Sequence, residues 1–380
     1  MSSELVAALD HLGIAVQHFS GRREHVWVAL RSLGPVLQAA PDAIERIAPP
    51  ESIRQLWARD LRATRARNVL QLSNLARAIL ILRGGGIEPL VFKGADAAER
   101  LYPDLGMRPM DDVDILVRRS ERLRAISLLS ESGFVAIPNE PGRFGPANGR
   151  IQAEVTFRTN DEGARSEIDL HWHTVADARL RAGFPGIDDD AVWDRTSACV
   201  VGGIQSLRLG DIDAAIVQAL SQVVGHPWSH PLGYLDLHLL VQEWTTSDWD
   251  DLSARVRDRN LSVPVFWALH FAARLFGTRV PASIVSRLEP SRMNRMLARL
   301  LIRGDYLGFA PYRREMAARD QFVLTAAQPN GAFRMIRHGL FGDRSECLDV
   351  PSPSARFASA RAYVSHARNA LGTLARGAAR

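Results

Sequence analysis

The chain has 380 residues, 46% of them hydrophobic and 23% charged, a composition that fits a folded globular protein and excludes a disordered, collagen-like or disulfide-scaffold chain. Its 47 basic side chains exceed 42 acidic ones for a net charge of +5, and the basic set is 46 arginines and one lysine, Lys93. Every long apolar stretch is broken by Arg, His or Asp before the roughly 20 residues that a bilayer span needs. The acidic start MSSELVAALD has no export h-region, and Cys199 and Cys347 stand in no metal or redox spacing, so a cytoplasmic location is expected.

Residues 1–84 read as an N-terminal helical region. Between Pro50 and Arg83, Ile53, Leu56, Trp57, Leu61, Leu72, Leu75, Ala76, Ile79 and Leu80 recur on three- and four-residue steps, which predicts an amphipathic helix. Thr64 and Asn68 fall on the same stripe and interrupt it, and Gly84-Gly85-Gly86 ends it. A short strand over Pro89 to Phe92 follows, and Lys93-Gly94 then opens an Ala-rich helix that stops before Pro103.

Residues 85–210 form a mixed section. Val113, Ile115 and Val117 alternate with Asp112, Asp114 and Leu116 as a strand requires. Ser120 is placed to cap a helix that buries Leu123, Ile126 and Leu129 and ends at Gly133. Beyond a Gly/Pro/Asn-rich loop, Ile151 to Arg158 and Ser166 to Trp172 read as a hairpin, and Ser206 to Leu209 as a further strand. Residues 211–380 are helical again, with Ile212, Ala215, Ile216, Ala219, Leu220 and Val223 on one face and Gly225 as the expected cap. From Arg287 to Arg380 there are 16 arginines against 7 acidic residues, a basic tail of the kind that contacts RNA, an acidic protein or a membrane surface, or that simply stays solvated.

The chemistry concentrates in two strands. In DDVDILV, Asp112 and Asp114 are two residues apart and share a face; in SEIDLHW, Glu167, Asp169 and His171 do the same. Two carboxylates on one strand and a third on a later one make an oxygen-rich cluster suited to Mg²⁺, because like charges held close need a cation or a shared proton. Upstream, the strand, Lys93-Gly94, helix junction offers free backbone N–H groups at a helix N-terminus, where an anion such as phosphate is favoured. Lys93 would meet that phosphate as a compact point charge, for which the planar fork of Arg is a poor substitute.

The run VFKGADAAERLYPDLGMRPMDDVDILV, followed by a helix, Gly-Phe and EIDLHW, resembles the bacterial nucleotidyltransferase family of the DNA polymerase beta-like superfold, over about residues 70 to 245. The resemblance implies an α+β protein: a polymerase beta-like core of a small mixed sheet with helices, flanked by N- and C-terminal helical regions. It implies that Asp112, Asp114 and Asp169 hold Mg²⁺, or Mn²⁺, and act in catalysis. It places Gly94 in the nucleotide-gripping turn with Lys93 beside it and Arg108 before the acidic pair, and it matches His226 and Asp236 more loosely, on the acceptor side. His171 would be an outer partner of Asp169 or a base near the acceptor. The activity implied is transfer of a nucleoside monophosphate from an NTP to a hydroxyl of a peptide or protein, a small molecule or RNA, with release of pyrophosphate. Two other readings stand beside it: a non-catalytic peptide- or RNA-binding module on the same fold, and a metallohydrolase using His171 and His173, with His226 and His230 as a second pair.

Overall fold

The computed structural model describes residues 2–17, 26–27, 30–38, 40–137, 153–159, 166–176, 181, 190–225 and 231–301. His226, His230 and residues 302–380, most of the basic tail, lie outside the described residues.

The interrupted amphipathic stripe is one 34-residue helix, Glu51–Gly84. Pro50 precedes it and Gly86, at φ 77°, turns the chain out of it, a conformation glycine adopts without a steric penalty. Among the described residues seven strands then build a single mixed sheet: β1 Leu90–Phe92, β2 Val113–Leu116, β3 Phe134–Ala136, β4 Glu154–Thr159, β5 Glu167–His171, β6 Thr196–Val201 and β7 Ile204–Leu209, in the order β3-β4-β5-β2-β1-β7-β6. β2 runs parallel to β5 and antiparallel to β1, while β4 and β5 form the expected hairpin pairing. The architecture is therefore mixed α+β.

One face of the sheet is apolar. Val91, Val113, Ile115, Ile168 and Leu170 are buried there with Leu72, Leu75, Ile79 and Leu82 of the long helix and with Leu129. Further along the same helix, Trp57 enters a second core, in which Leu5, Leu9 and Leu12 of the Ser3–Gln17 helix pack with Leu235, Trp249 and Leu269. The helices before residue 51 and those after residue 211 thus share one core, and the long helix joins that core to the sheet. Among the described residues no helix is long and apolar enough to cross a membrane.

Several local expectations change. Ser120 makes no cap: it lies in a 3-10 turn, Arg119–Glu121, and no side-chain hydrogen bond caps the Arg122–Glu131 helix that follows. Leu123 is 59% exposed, and Ala125 takes the buried position beside Leu129. Gly225 closes a π-helical turn, Ser221–Gly225, that extends the Asp211–Leu220 helix. β6 was not expected at all. It pairs with β7 across Gly202-Gly203, both at positive φ, the geometry a two-residue hairpin loop demands. A Cβ on Gly202 would lie 2.5 Å from the Leu72 carbonyl oxygen, so this glycine also permits the close approach of hairpin and helix.

Candidate active site

The sheet register assembles the site. Asp114 of β2 lies opposite Asp169 of β5, Phe92 of β1 lies opposite Asp114, and Glu154 of β4 lies opposite His171. Because side chains alternate across a strand, Asp114, Asp169, His171 and Glu154 all project from the face opposite the apolar one. Asp112 sits just before β2 and is half-buried.

The contacts are tight and mutual. Lys93 Nζ donates to Asp114 Oδ1 at 2.6 Å and stands 3.4 Å from His171 Nε2. His171 Nε2 is itself 2.8 Å from Asp114 Oδ1, and its Nδ1 is 3.4 Å from Glu154 Oε2. The Lys93 ammonium also lies 4.7 Å from the centre of the Phe92 ring, whose edge-to-face contact with His171 has a centroid distance of 5.2 Å. Asp169 Oδ1 is buried without a hydrogen-bond partner. Lys93 holds φ 53°, ψ −122° at the strand-to-helix junction, a region glycine favours and a side-chain-bearing residue occupies at a cost of about 1–3 kcal/mol. That backbone angle aims the ammonium back over the sheet.

These neighbours set the charge states. Burial would raise the Asp114 carboxyl, but Lys93 and His171 hold it well below the usual carboxylate range. Burial pulls the Lys93 ammonium down, and Asp114 and Glu154 more than offset this. Burial and the Lys93 charge lower the His171 imidazole against the pull of Asp114. Asp112 is pushed up to about 8 by burial and by the charges of Asp114 and Asp169. Asp169 is pushed up to about 6 by burial, with Glu154 and Asp114 adding to the shift and His171 opposing it. The group is short of positive charge, which is the condition a divalent cation corrects.

Asp114, Asp169 and His171 each offer a ligand atom within 4.8 Å of the others, and this is the one such group of three among the described residues. The unpartnered Asp169 oxygen and the crowded carboxylates fit a bound cation. Of the three aspartates expected to share metal, two lie in this group together with His171, and Asp112 stands beside it, coupled to both through charge.

Arg108 and Asp236, expected on the nucleotide and acceptor sides, meet each other. The Arg108 guanidinium donates to Asp236 from Nη2 at 2.8 Å and from Nε at 3.2 Å, and Tyr102 Oη donates to the same carboxylate at 2.7 Å. Asp236 is fully buried. The pair ties the segment that enters β2 to the Leu232–Val241 helix. A Cβ on Gly94 would lie 3.2 Å from Arg108 Nη1, so the glycine of the turn leaves room for this guanidinium.

Sequence reasoning missed two supports of the site. Asn68 Nδ2 donates to the carbonyls of Leu105 and Arg108 at 2.6 and 2.7 Å, and Gln71 Nε2 donates to the Asp111 carbonyl at 2.8 Å while its Oε1 accepts from Ser166 Oγ at 2.6 Å. The signal was the polar interruption of an apolar helical stripe. Glu154 was missed as well, since only the β4–β5 register brings it to His171. His173 does not join the cluster. It lines a separate cavity of about 230 Å³, walled by Leu116, Trp172, Trp193, Ile216 and Val217, beyond the far ends of β2 and β5.

The sheet gathers two carboxylates and an imidazole over one face, next to a strand-to-helix turn. The chain belongs to a family described as uncharacterised nucleotidyltransferase, whose model matches residues 27–277. No curated protein matches the chain. Among solved structures, the chain is similar to an antigenic nucleotidyltransferase-like protein from Paracoccidioides brasiliensis, at 15% identity over 58% of this chain and 97% of that one, with a TM-score of 0.34.

Proposed function

We propose that the protein is a divalent-cation-dependent nucleotidyltransferase with a polymerase beta-like core over residues 85–210, between helical regions 1–84 and 211–380, that moves a nucleoside monophosphate from an NTP to an acceptor hydroxyl. The observation that carries the reading is the group Asp114, Asp169 and His171, with one buried Asp169 oxygen left without a partner, in a chain of a nucleotidyltransferase family. Mg²⁺ or Mn²⁺ held there, with Asp112 adjoining, would supply charge neutralisation for the phosphates.

The chain's own residues do the rest. The acceptor oxygen forms a bond to the α-phosphorus, the bond to the departing pyrophosphate breaks, and the hydroxyl proton passes to Asp169, the carboxylate in this group that has an oxygen with no other partner. Lys93, released from Asp114, would follow the phosphate charge, and Gly94 keeps the turn open for it. Such a transfer depends on positioning and electrostatics more than on covalent chemistry.

The test is Mg²⁺- or Mn²⁺-dependent release of pyrophosphate from each of the four common NTPs, with cell extract as acceptor source and label followed into RNA, protein and small molecules. Asp169→Asn should abolish the release. Full release in that variant, or no cation-dependent nucleotide binding by the wild type, would return the chain to the reading of a non-catalytic binding module.

A further inference from the structure

We propose that the cluster on the β2–β5 face is a histidine-bearing cation site that takes a first-row transition ion of the Mn²⁺ kind in preference to Mg²⁺, with His171 Nε2 as its nitrogen ligand and Glu154 as the residue that holds the ring. The inference rests on reading this cluster as the protein's cation site, and is independent of which group the enzyme transfers.

The ligand set carries the choice of ion. Mg²⁺ prefers oxygen donors in near-ideal octahedral geometry and gives up its waters reluctantly. Imidazole nitrogen instead suits transition ions, and among these Mn²⁺ also takes the carboxylate oxygens that Mg²⁺ takes. Here the imidazole is no bystander: its Nε2 is 2.8 Å from Asp114 Oδ1, and it belongs to the same 4.8 Å group as Asp169. The ring is 1% exposed, with two further groups beside it. Its Nδ1 faces Glu154 Oε2 at 3.4 Å, and the Phe92 ring packs edge-to-face against it. A ligating histidine characteristically gives its other ring N–H to a carboxylate, which fixes the tautomer and aims the free nitrogen at the cation. His171 Nδ1 makes no hydrogen bond among the described residues; Glu154 and His171 stand opposite each other in the β4–β5 register, which keeps the Glu154 carboxylate within reach of that N–H when Nε2 is given to a cation. The unpartnered, buried Asp169 oxygen is an independent sign of a cation between the two strands.

The experiment uses the full metal-free chain with no nucleotide. Mn²⁺ is titrated in, bound ion is counted by electron paramagnetic resonance, and pulsed measurements read any ¹⁴N coupling to the ion. The expected result is a directly bound nitrogen, together with Mn²⁺ binding tighter than Mg²⁺ in competition. The nitrogen coupling should vanish in His171→Asn and persist in His173→Asn. Glu154→Gln should keep the coupling while weakening Mn²⁺ binding about 10- to 100-fold. Bound Mn²⁺ without nitrogen coupling in the wild type, or Mg²⁺ competing on equal terms, would overturn the proposal even if the variants misfold. Nucleotide transfer with no nitrogen coupling sinks this inference alone, whereas nitrogen-coupled Mn²⁺ without any nucleotide turnover sinks only the transferase reading.

Discussion

Lys93 Nζ donates to Asp114 Oδ1 at 2.6 Å while standing 3.4 Å from His171 Nε2, so the lone lysine occupies the neighbourhood that a divalent cation would use. The ammonium is the site's own counter-ion. It neutralises Asp114 in a protein without metal, and it must move for an ion to enter. The nearest anion it could then follow in the proposed reaction is the triphosphate.

This arrangement gives opposite signs to two effects of one substitution. Lys93→Met removes the competing charge, so divalent-cation affinity without nucleotide should rise, by roughly tenfold or about 1.4 kcal/mol. Nucleotide-dependent turnover should fall, because the phosphate partner is gone. Lys93→Arg keeps the charge but spreads it over a wide planar fork, at a backbone position of φ 53°, and should also lower turnover. Calorimetric titration with Mn²⁺ reads the first effect; weaker cation binding in Lys93→Met would show that the lysine organises the carboxylates instead of occupying their cation position.

The raised carboxyls set a pH dependence with a definite sign. Asp112 at about 8 and Asp169 at about 6 bind more protons in the folded protein than in the unfolded chain, so their contribution to the stability of the metal-free protein falls as pH rises from about 4 to 8, while the lowered His171 imidazole works in the opposite sense. A cation binds the deprotonated carboxylates. It therefore releases protons at neutral pH, and its stabilising effect grows with pH across the same window. Thermal melts with and without Mg²⁺ or Mn²⁺ should show a larger upward shift at pH 8 than at pH 6. An equal or smaller shift at pH 8 would mean that these carboxylates do not hold the ion.

The cluster was legible in the sequence to the extent that strand alternation reveals it. DDVDILV and SEIDLHW place acids on one face by periodicity alone, and their burial on the other face by Val113, Ile115, Ile168 and Leu170 follows from the same rule. What periodicity cannot supply is register, and register is what brings Glu154 to His171 and Asp114 to Asp169. It also cannot supply partners across the chain, so it gives no sign that Arg108 and Asp236, 128 residues apart, form one buried pair. The β6–β7 hairpin was legible in principle: Gly202-Gly203 between apolar runs is a two-residue loop signal, obscured by the polar start of Thr196–Val201.

The polar residues inside the long helix act at a distance from the reacting groups. Asn68 and Gln71 are fully buried and hold the carbonyls of Leu105, Arg108 and Asp111, the segment that delivers Asp112 and Asp114 to the sheet. Asn68→Ala leaves two backbone carbonyls without their donor, and Gln71→Ala leaves Ser166 and the Asp111 carbonyl without theirs. Each should cost about 1–3 kcal/mol, measured by chemical denaturation. If the tether positions the acids, turnover should fall further than cation affinity does in protein still folded at the assay temperature. Turnover unchanged in folded Asn68→Ala would assign these residues to stability alone.

Asp236 has no free edge to offer an acceptor. Arg108 and Tyr102 donate to it, Gln218 Nε2 approaches at 3.3 Å, and the carboxylate is fully enclosed. Burial pulls the Arg108 guanidinium down, and Asp236 more than restores it. Breaking a buried pair from one side strands the other charge, at a cost of about 3–5 kcal/mol, so Asp236→Ala should lower stability by that amount and loosen the join between the β2 entry segment and the Leu232–Val241 helix. Because the loss comes from an unmatched charge, Asp236→Ala combined with Arg108→Met should recover part of it, as a double-mutant cycle in denaturant can measure. An acceptor-binding role predicts something different: a stable Asp236→Ala protein with a raised acceptor KM, and finding that would move Asp236 from the scaffold to the site.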